Sequence, residues 1–331
     1  MRLLSKHYVM ALFALSIFVV SCNDDDDDDD PQTPSGPTQN IAEIASANAE
    51  YSILVEALTA ANLVGAVSEE NATLTVFAPN NNAFNTLFDD LNLVDTDGDG
   101  SRVDDLVDEL GATAVTNILL YHVLGAEIRS GDVPEKAYVT TQSTGSPDDD
   151  QLSLLVESRT GGVFLNNEAQ VNAPDILATN GVIHGIDNVL LLPTVADHAI
   201  NNPGDFSALT GAVLQVGLEG ALSDDAAELT VFAPINSAFD EVATTVASLT
   251  DAQLTTVLQY HVIGQQLRED DIQTGSAETL NTQSIGINVG ESAVTISDVD
   301  ESNADATVIL TNVQGTNGVV HVIDVVLIPQ L

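Results

Sequence analysis

The feature that most constrains the fold is an internal duplication within the 331-residue chain. Residues 73–84 read TLTVFAPNNNAF and residues 228–239 read ELTVFAPINSAF, so nine of twelve positions are identical. The separation of the two copies far exceeds the roughly 20–50 residues of a solenoid repeat, and each copy is therefore expected to fold as a domain of its own. We place these domains at residues 41–193 and 194–331.

Two shorter segments recur in the same order in both copies. They are YHV at 121–123 and 260–262, and TNGVIH at 179–184, which returns as TNGVVH at 316–321. With the first block, they resemble the signature segments of fasciclin-type (FAS1) adhesion domains, which are TVFAPxNxAF, YHV and NGVVHxID. The resemblance covers nearly all of residues 41–331. It implies an α+β fold of two tandem domains, each a β-sheet wedge flanked by short helices, and a role in adhesion.

Local patterns in the residues predict the same fold class. Alternating Leu, Thr and Val within 73–76 predict a half-buried strand, which Pro79 ends because proline lacks the backbone N–H. From Phe84 the apolar residues follow i, i+3, i+4, i+7 spacing, the pattern of an amphipathic helix, and residues 239–246 predict the same helix in the second copy. Strand, helix and strand within each copy are typical of α+β domains.

The first residues predict export and lipidation. A short basic start, an apolar run at 9–20 and a small residue before the cut are typical of an export signal, which we assign to residues 1–21. The apolar run is too short to span a hydrocarbon core of about 30 Å. Val19-Val20-Ser21-Cys22 resembles a bacterial lipobox, which implies that Cys22 is acylated and binds a membrane. The alternative is ordinary cleavage that leaves Cys22 as an idle thiol.

Residues 22–40 are predicted to form an extended tether. Seven consecutive aspartates at 24–30 repel one another, and prolines stiffen the segment that follows. An acidic run after a lipidated cysteine resembles the surface-export signals of some Gram-negative lipoproteins, whereas the alternative is a plain spacer. Asn23, in place of aspartate, disfavours inner-membrane retention by the lipoprotein rule. We therefore expect an exported protein that is lipid-anchored to the bacterial outer membrane and exposed at the surface.

Charge and composition exclude several classes of protein. Seven Lys and Arg against 50 Asp and Glu give a net charge of −43, which repels phosphate backbones and excludes nucleic-acid binding. A single cysteine excludes a disulfide framework and a cysteine-rich zinc site. The acid excess also predicts a stability that rises with salt or Ca²⁺.

The histidines of the repeated segments fall on apolar faces of predicted elements. His122 and His261 end predicted helices, and His184 and His321 lie in predicted strands beside inward-facing aliphatic residues. These positions predict hydrogen-bonded core residues. The resemblance supplies an alternative for the first pair, because the Tyr-His segment of animal relatives has been linked to partner contact. That alternative maps onto Tyr121-His122 and Tyr260-His261.

One further dipeptide is a candidate for partner contact. Asp175-Ile176 resembles the Asp-Ile adhesion motif of some fasciclin domains. We take Thr307-Val308-Ile309 as the counterpart in the second copy, so any such site would be single. The alternative is a turn acid followed by aliphatic residues of a strand.

An insertion in the first copy contains a candidate calcium loop. Phe84 and Tyr121 are separated by 16 more residues than their counterparts in the second copy. Within the insertion, Asp95, Asp97 and Asp99 occupy positions 1, 3 and 5 of a calcium loop, a glycine occupies position 6, and Ser101 offers a carbonyl at position 7. Position 12 is Leu rather than Glu, so the match is partial. We predict weak calcium binding at these four residues, with a solvated acidic loop as the alternative.

No motif of a known enzyme class is present, and we expect no catalytic residues and no cofactor other than this calcium. GxSxG, HExxH and phosphate-binding loop patterns are all absent from the sequence. The predicted function is non-enzymatic adhesion or matrix interaction at the cell surface, with an unidentified protein or glycan partner. The alternative is a ligand- or glycan-binding lipoprotein that serves a transport system. Aromatic residues make up only 4% of the chain, which disfavours an aromatic sugar platform.

Overall fold

The first repeat begins within the part of the chain that can be described. The structure is a computed structural model that describes residues 36–145, 149–299 and 304–331. The predicted export signal, Cys22 and most of the predicted tether lie outside these residues. From Pro37 to Leu331 the chain forms one unit, which contains both repeats.

Short helices open each repeat and follow its first long strand. In the first repeat they are α1 (Ile41–Ala47), α2 (Ser52–Ala60), α3 (Asn81–Asp90), α4 (Val103–Leu110) and α5 (Ala112–Tyr121). In the second repeat they are α6 (Val195–Ile200), α7 (Pro203–Val216), α8 (Glu219–Leu222), α9 (Asn236–Glu241), α10 (Ala243–Val246) and α11 (Asp251–Tyr260). Capping boxes start α1, α6 and α11, the last from Thr250 and Gln253 as its sequence predicts.

Seven strands form one sheet in each repeat. The first repeat has β1 (Leu74–Pro79), β2 (Val123–Leu124), β3 (Lys136–Thr140), β4 (Ser153–Arg159), β5 (Gly162–Leu165), β6 (Ala169–Ala178) and β7 (Gly181–Ile186). The second has β8 (Leu229–Pro234), β9 (Val262–Ile263), β10 (Gly275–Glu278), β11 (Ser284–Val289), β12 (Val294–Ser297), β13 (Ala306–Gly315) and β14 (Gly318–Ile323). The first sheet has the order β2-β1-β7-β6-β5-β4-β3, and the second sheet has the same order in its own strands.

The β1–β7 pair and its repeat, β8–β14, are parallel, and each depends on a glycine. A Cβ atom on Gly181 would lie 2.0 Å from the Leu74 carbonyl oxygen, and one on Gly318 would lie equally close to that of Leu229. Both glycines also have a positive φ near 145°. The Asn-Gly pair does mark the tight turn between β6 and β7, as predicted, but its glycine is required by the neighbouring strand.

The asparagine of each Asn-Gly pair ties the first helix of its repeat to the sheet. Asn180 accepts a hydrogen bond from the Ile41 N–H at 3.0 Å and donates to the carbonyls of Val67 and Glu69. Asn317 repeats this arrangement, beginning with the Val195 N–H at 2.9 Å. Both side chains are buried, so these bonds replace water at the helix start.

Two local predictions differ from the structure. The strand from Leu74 was predicted to be half-buried, yet Thr75 is fully buried, because its hydroxyl bonds the Ala126 carbonyl and the Ile128 N–H. The helix predicted over residues 239–246 is interrupted at Val242, where the N–H bonds the Phe239 carbonyl three residues back and the backbone leaves the helical region.

Each repeat buries one apolar cluster between its helices and the central strands, and a second between the sheet and the loops that close it. In the first repeat these clusters are centred on Phe84 and on Tyr121, and in the second on Phe206 and on Phe232. None of the helices in the described ranges is both long enough and apolar enough to cross a bilayer.

Candidate functional sites

His122 and His261 cap the last helix of their repeats from inside the core. The Nδ1 atom of His122 lies 2.7 Å from the Ile118 carbonyl oxygen, and its Nε2 atom accepts the Leu190 N–H at 2.9 Å. His261 makes the same two contacts, including the Leu327 N–H. Burial lowers the pKa of each imidazole to about 4. Both rings are therefore neutral, hydrogen-bonded core groups.

The neighbouring tyrosines are buried as well. The Tyr121 hydroxyl donates to the Ser153 carbonyl at 2.8 Å, and Tyr260 repeats this bond with the Ser284 carbonyl. Both tyrosines are 0% exposed. The partner-contact alternative for Tyr121-His122 and Tyr260-His261 therefore has no exposed side chain to use, because these four residues fill the interior.

Asp175 lies on the surface at a bulge in β6. Its φ is +60°, and its carboxylate accepts the Ser130 N–H at 2.8 Å and the Ser130 hydroxyl. These two hydrogen bonds, the hydroxyl first, lower the pKa of Asp175. Ile176 is half-buried and packs on the core of the first repeat. The dipeptide thus offers an exposed carboxylate held in one geometry.

The counterpart of Asp175 in the second repeat is Asn312, which corrects the assignment to Thr307. Both residues sit at a register shift opposite the last strand and both have a φ near +60°. Asn312 accepts the Glu269 N–H at 2.9 Å as Asp175 accepts that of Ser130. Asparagine and aspartate are the residues that best tolerate this backbone region, and each precedes the Asn-Gly pair of its repeat by five residues.

His184 lies beside Asp175 without forming a catalytic relay. Its Nε2 atom lies 2.8 Å from the Ile128 carbonyl oxygen, and its Nδ1 atom accepts the Asp175 N–H at 3.2 Å. The Ser130 hydroxyl donates to Asp175 rather than to the ring. Both ring nitrogens are therefore engaged by the backbone, and the ring is left with no site for a proton from a nucleophile. Sequence reasoning expected His184 in the core, where it lies, but missed Asp175 as its neighbour.

The acidic loop brings three carboxylates together. Asp95, Asp97 and Asp99 each place an oxygen within 4.8 Å of the others, and all three are exposed. Asp95 accepts the N–H groups of Gly98 and Gly100, so the loop curls around its first carboxylate. The spacing that the calcium-loop pattern predicts is present in the first half of the loop.

The loop is fixed to the first repeat at its far end. The Ser101 hydroxyl donates to Glu56 of α2, and Arg102 forms an ion pair with Asp89 at 2.8 Å. The hydrogen bond from the Asp99 N–H lowers the pKa of Asp97, but desolvation and the neighbouring carboxylates outweigh it and the net pKa is raised. Carboxylate and carbonyl oxygens are the ligands that Ca²⁺ prefers, so the donor set fits this ion.

Comparison with known proteins identifies the family. The Fasciclin domain matches residues 49–193 and again residues 204–329. This chain belongs to the fasciclin family. The fold expected from the resemblance, two tandem domains of mixed α and β content, is confirmed by the two seven-stranded sheets and their flanking helices.

Similar proteins occur in animals, fungi and bacteria. Human periostin is 28% identical over 266 residues, which cover 79% of this chain and 29% of periostin. The transforming growth factor-beta-induced protein ig-h3 of Oryctolagus cuniculus is 28% identical over 77% of this chain and 34% of its own length. Protein sll1483 of Synechocystis is 34% identical over 49% of this chain and 78% of its own. The chain spans about a third of the first two relatives.

A solved structure of a fasciclin domain pair is also similar. It belongs to the insect cell adhesion molecule Fasciclin I, and it matches 87% of this chain and 98% of its own with a TM-score of 0.46 and 18% identity.

The two fasciclin domains contact each other through residues that sequence reasoning missed. Lys136 on β3 donates to Asp205 at the start of α7 at 2.6 Å and to Asn202. The Tyr138 ring meets the His198 ring edge-on with centroids 5.6 Å apart. The sequence does hold one indication that Lys136 makes a specific contact, because it is one of only seven Lys and Arg residues in a strongly acidic chain.

A second set of bonds joins the sheets of the two domains. The Ser153 hydroxyl accepts the Gln314 N–H at 2.9 Å, and Arg268 forms an ion pair with Asp150 at 2.7 Å. His198, whose pKa burial lowers to about 4, is held within the second domain by a contact of its Nε2 atom with the Gln314 carbonyl at 2.9 Å. The fasciclin domains are thus held in one arrangement by polar contacts along β3, β4 and β13.

Proposed function

We propose that this fasciclin protein is a non-enzymatic adhesion or matrix-interaction protein of the cell surface. The family match over both domains is the observation that carries the proposal. The paired arrangement supports it, because two domains held together present one continuous surface to a partner. Backbone contacts on both ring nitrogens of His122, His184 and His261 support the absence of catalysis.

The proposal includes a membrane anchor. The export signal at 1–21 would leave Cys22 as the acylated first residue, and residues 22–40 would hold the domains away from the bacterial outer membrane. The partner is then a protein or glycan on a neighbouring cell or in the surrounding matrix. The acidic surface favours a partner that is neutral or basic.

Adhesion assays on the producing cells test this proposal. Deleting the gene should reduce attachment to cells or matrix, and the wild-type gene should restore it. A Cys22→Ser variant should release the protein from membranes and fail to restore attachment, although the purified protein still binds the same surface. Attachment that is unchanged by deletion, across protein, glycan and abiotic surfaces, contradicts an adhesive function.

We place the partner contact at Asp175 and Ile176, where a fixed carboxylate is exposed beside an aliphatic side chain. Asp175→Asn tests this directly, because asparagine occupies the same bulge in the second domain. The variant keeps the fold and removes one charge, so attachment should fall several-fold with an unchanged melting temperature. Asp187→Asn is the control, because Asp187 follows the far end of β7, where its carboxylate accepts the Gln170 N–H, and this variant should leave attachment unchanged. Equal attachment by the two variants places the contact elsewhere.

A ligand- or glycan-binding role is the second candidate. A cleft of about 600 Å³ lies beside β10 in the second domain, and its wall includes Asp271, Gln273, Ser276 and Glu278. Its size is that of small-molecule sites, and its polar groups suit a hydroxylated ligand. A glycan array with wild-type protein and Ser276→Trp, which would block the cleft, distinguishes this role from adhesion by the first domain.

We also propose that the acidic loop binds Ca²⁺ weakly. Asp95, Asp97, Asp99 and the Ser101 carbonyl would supply the ligands, and the ion would relieve the repulsion among the carboxylates. Calorimetric titration with Ca²⁺ should show one site that the Asp97→Asn/Asp99→Asn variant lacks. Asp240→Asn/Glu241→Gln on α9 of the second domain changes the charge equally and should keep the site. Identical heats from all three proteins rule the site out.

A further inference from the structure

The core of the second domain contains an apolar cavity that the first domain has nearly closed. The cavity has a volume of about 90 Å³ and lies between the helices α6 and α7 and the central strands β8 and β14. Its equivalent in the first domain, between α1, α2, β1 and β7, has a volume of about 20 Å³. Every residue that lines the smaller cavity has its equivalent in the wall of the larger one.

The two cavities differ because the second domain has smaller side chains at three shared wall positions. The equivalences follow from identical contacts, because Ile41 and Val195 both donate to the Asn of the Asn-Gly pair, and Ile183 and Val320 pair with equivalent valines. The three replacements are Ile41 by Val195, Leu58 by Val213 and Ile183 by Val320. Each removes one methylene from the wall, and only Val67, replaced by Leu222, adds one back.

At the rim of the cavity, the second domain has larger and more apolar side chains than the first domain. Ile200, Leu214 and Leu280 line the larger cavity and are 37%, 52% and 45% exposed. The equivalent positions in the first domain carry polar residues, which are Ser46, Thr59 and Gln142. Exposed large apolar side chains at the mouth of an apolar cavity favour a ligand that is itself apolar. The interior and the rim therefore point to the same kind of ligand through independent substitutions.

We propose that this cavity of the second domain binds the end of an alkyl chain. Its volume is below that of the cavities of about 150 Å³ that bind benzene, so it accepts a few methylenes while the rest of the chain lies against the exposed rim. The buried imidazoles of the wall are already bonded to backbone groups, His261 through both nitrogens and His198 through Nε2, and the Thr210 hydroxyl donates to the Ala199 carbonyl. Glu219 and Gln259 line the cavity from exposed and half-buried positions. A polar group at the buried end of the ligand would find no partner there. This site is separate from the proposed adhesive contact on the first domain.

The experiment uses 1-octanol as the probe and 1,8-octanediol as its matched control. The full chain carries Cys22→Ser, so that no acyl chain of its own competes. Methyl NMR of labelled Val and Leu should show saturable shifts at Val213 and Val320 on adding 1-octanol. The diol, which must bury a hydroxyl at either end, should bind at least about tenfold more weakly. Equal binding of the two probes overturns the proposal.

The chain itself supplies the variant that closes the cavity. Val195→Ile/Val213→Leu/Val320→Ile introduces the residues of the first domain and should weaken 1-octanol binding about tenfold or more, with a melting temperature no lower than that of the wild type. If the triple variant folds poorly, Val320→Ile alone carries the test. The reverse variant, Ile41→Val/Leu58→Val/Ile183→Val, controls for nonspecific uptake and should gain a second, weaker site. Unchanged binding by the closed variant, or no saturable shift in the wild type, contradicts an alkyl site.

Discussion

The buried imidazoles link the stability of each fasciclin domain to pH. His122 and His261 are neutral in the folded protein because burial lowers their pKa to about 4, whereas an unfolded histidine has its ordinary pKa near 6.5. Well above pH 6.5 the histidine is neutral in both the folded and the unfolded chain, so it makes no pH-dependent contribution to the free energy of unfolding. As the pH falls from 6.5 towards 4, the unfolded chain binds protons that the folded chain does not, so stability is lost.

A variant at His122 isolates this effect from that of the many carboxylates. Each neutral buried histidine removes up to about 1.4 kcal/mol of stability per pH unit in the window from 6.5 to 4. His122→Gln is expected to be less stable than the wild type at pH 7, and to lose less stability than the wild type on going from pH 6.5 to 4.5. Urea unfolding at several pH values measures both. Parallel curves for the two proteins, a constant distance apart, contradict a buried neutral ring.

At the scale of single elements, the parallel pairs β1–β7 and β8–β14 impose the strictest requirement, which is a glycine at positions 181 and 318. Gly181→Ala puts a methyl group against the Leu74 carbonyl at a positive φ, so it should destabilise the first domain by about 3 kcal/mol or prevent its folding. Gly211 lies within α7 with open space around it, and Gly211→Ala should stabilise by about 0.5–1 kcal/mol. Thermal unfolding of the two variants measures the contrast, and equal effects of the two alanines would show that the strand contact does not select glycine.

The sequence predicted the features that depend on residues close together in the chain. It did not predict those that depend on contacts between distant segments. The capping box at Thr250 depends on residues three apart, so the local sequence places it without any tertiary information. The complete burial of Thr75 depends on a bond to Ala126 in another part of the repeat, which no periodicity reports. The counterpart of Asp175 was misplaced although Asn312 precedes its Asn-Gly pair by the same five residues as Asp175 does. The matching bulges of β6 and β13 show this equivalence, which similarity of the residues alone had not shown. The acidic loop was predicted as a cluster because its three carboxylates occupy alternate positions within five residues.

For the whole molecule, a net charge of −43 makes self-repulsion a term in stability. Raising NaCl from about 0.05 to about 0.5 M shortens the screening length to below about 10 Å. Because this weakens the repulsion among the carboxylates, the melting temperature should rise by several degrees. Choline chloride at the same ionic strength is the control and should act equally, because screening does not depend on the identity of the cation. A melting temperature independent of both salts contradicts a repulsive surface.

The contact between the two fasciclin domains decides whether they unfold together. Lys136 and Tyr138 carry the part of that contact made by β3. In the second domain the equivalent positions are Thr274, just before β10, and Ser276 within it, as the pairing of Thr140 with Ser153 and of Glu278 with Ser284 shows. Inter-domain contacts within a chain are commonly weak enough to permit motion, so two partly exposed contacts are expected to contribute about 1–2 kcal/mol.

Lys136→Thr/Tyr138→Ser therefore gives β3, an edge strand of the first domain, the residues found at the equivalent positions of the second domain, and removes these inter-domain contacts. The wild type should melt in one calorimetric transition, and the variant in two whose midpoints differ by roughly 4 °C per kcal/mol of lost coupling. Arg129→Ala removes an exposed ion pair with Glu127 within the first domain and should leave the single transition intact. Two transitions already in the wild type would show that the polar contacts do not couple the domains. A single transition in the double variant would place the coupling in the bonds of Ser153 and Arg268 instead.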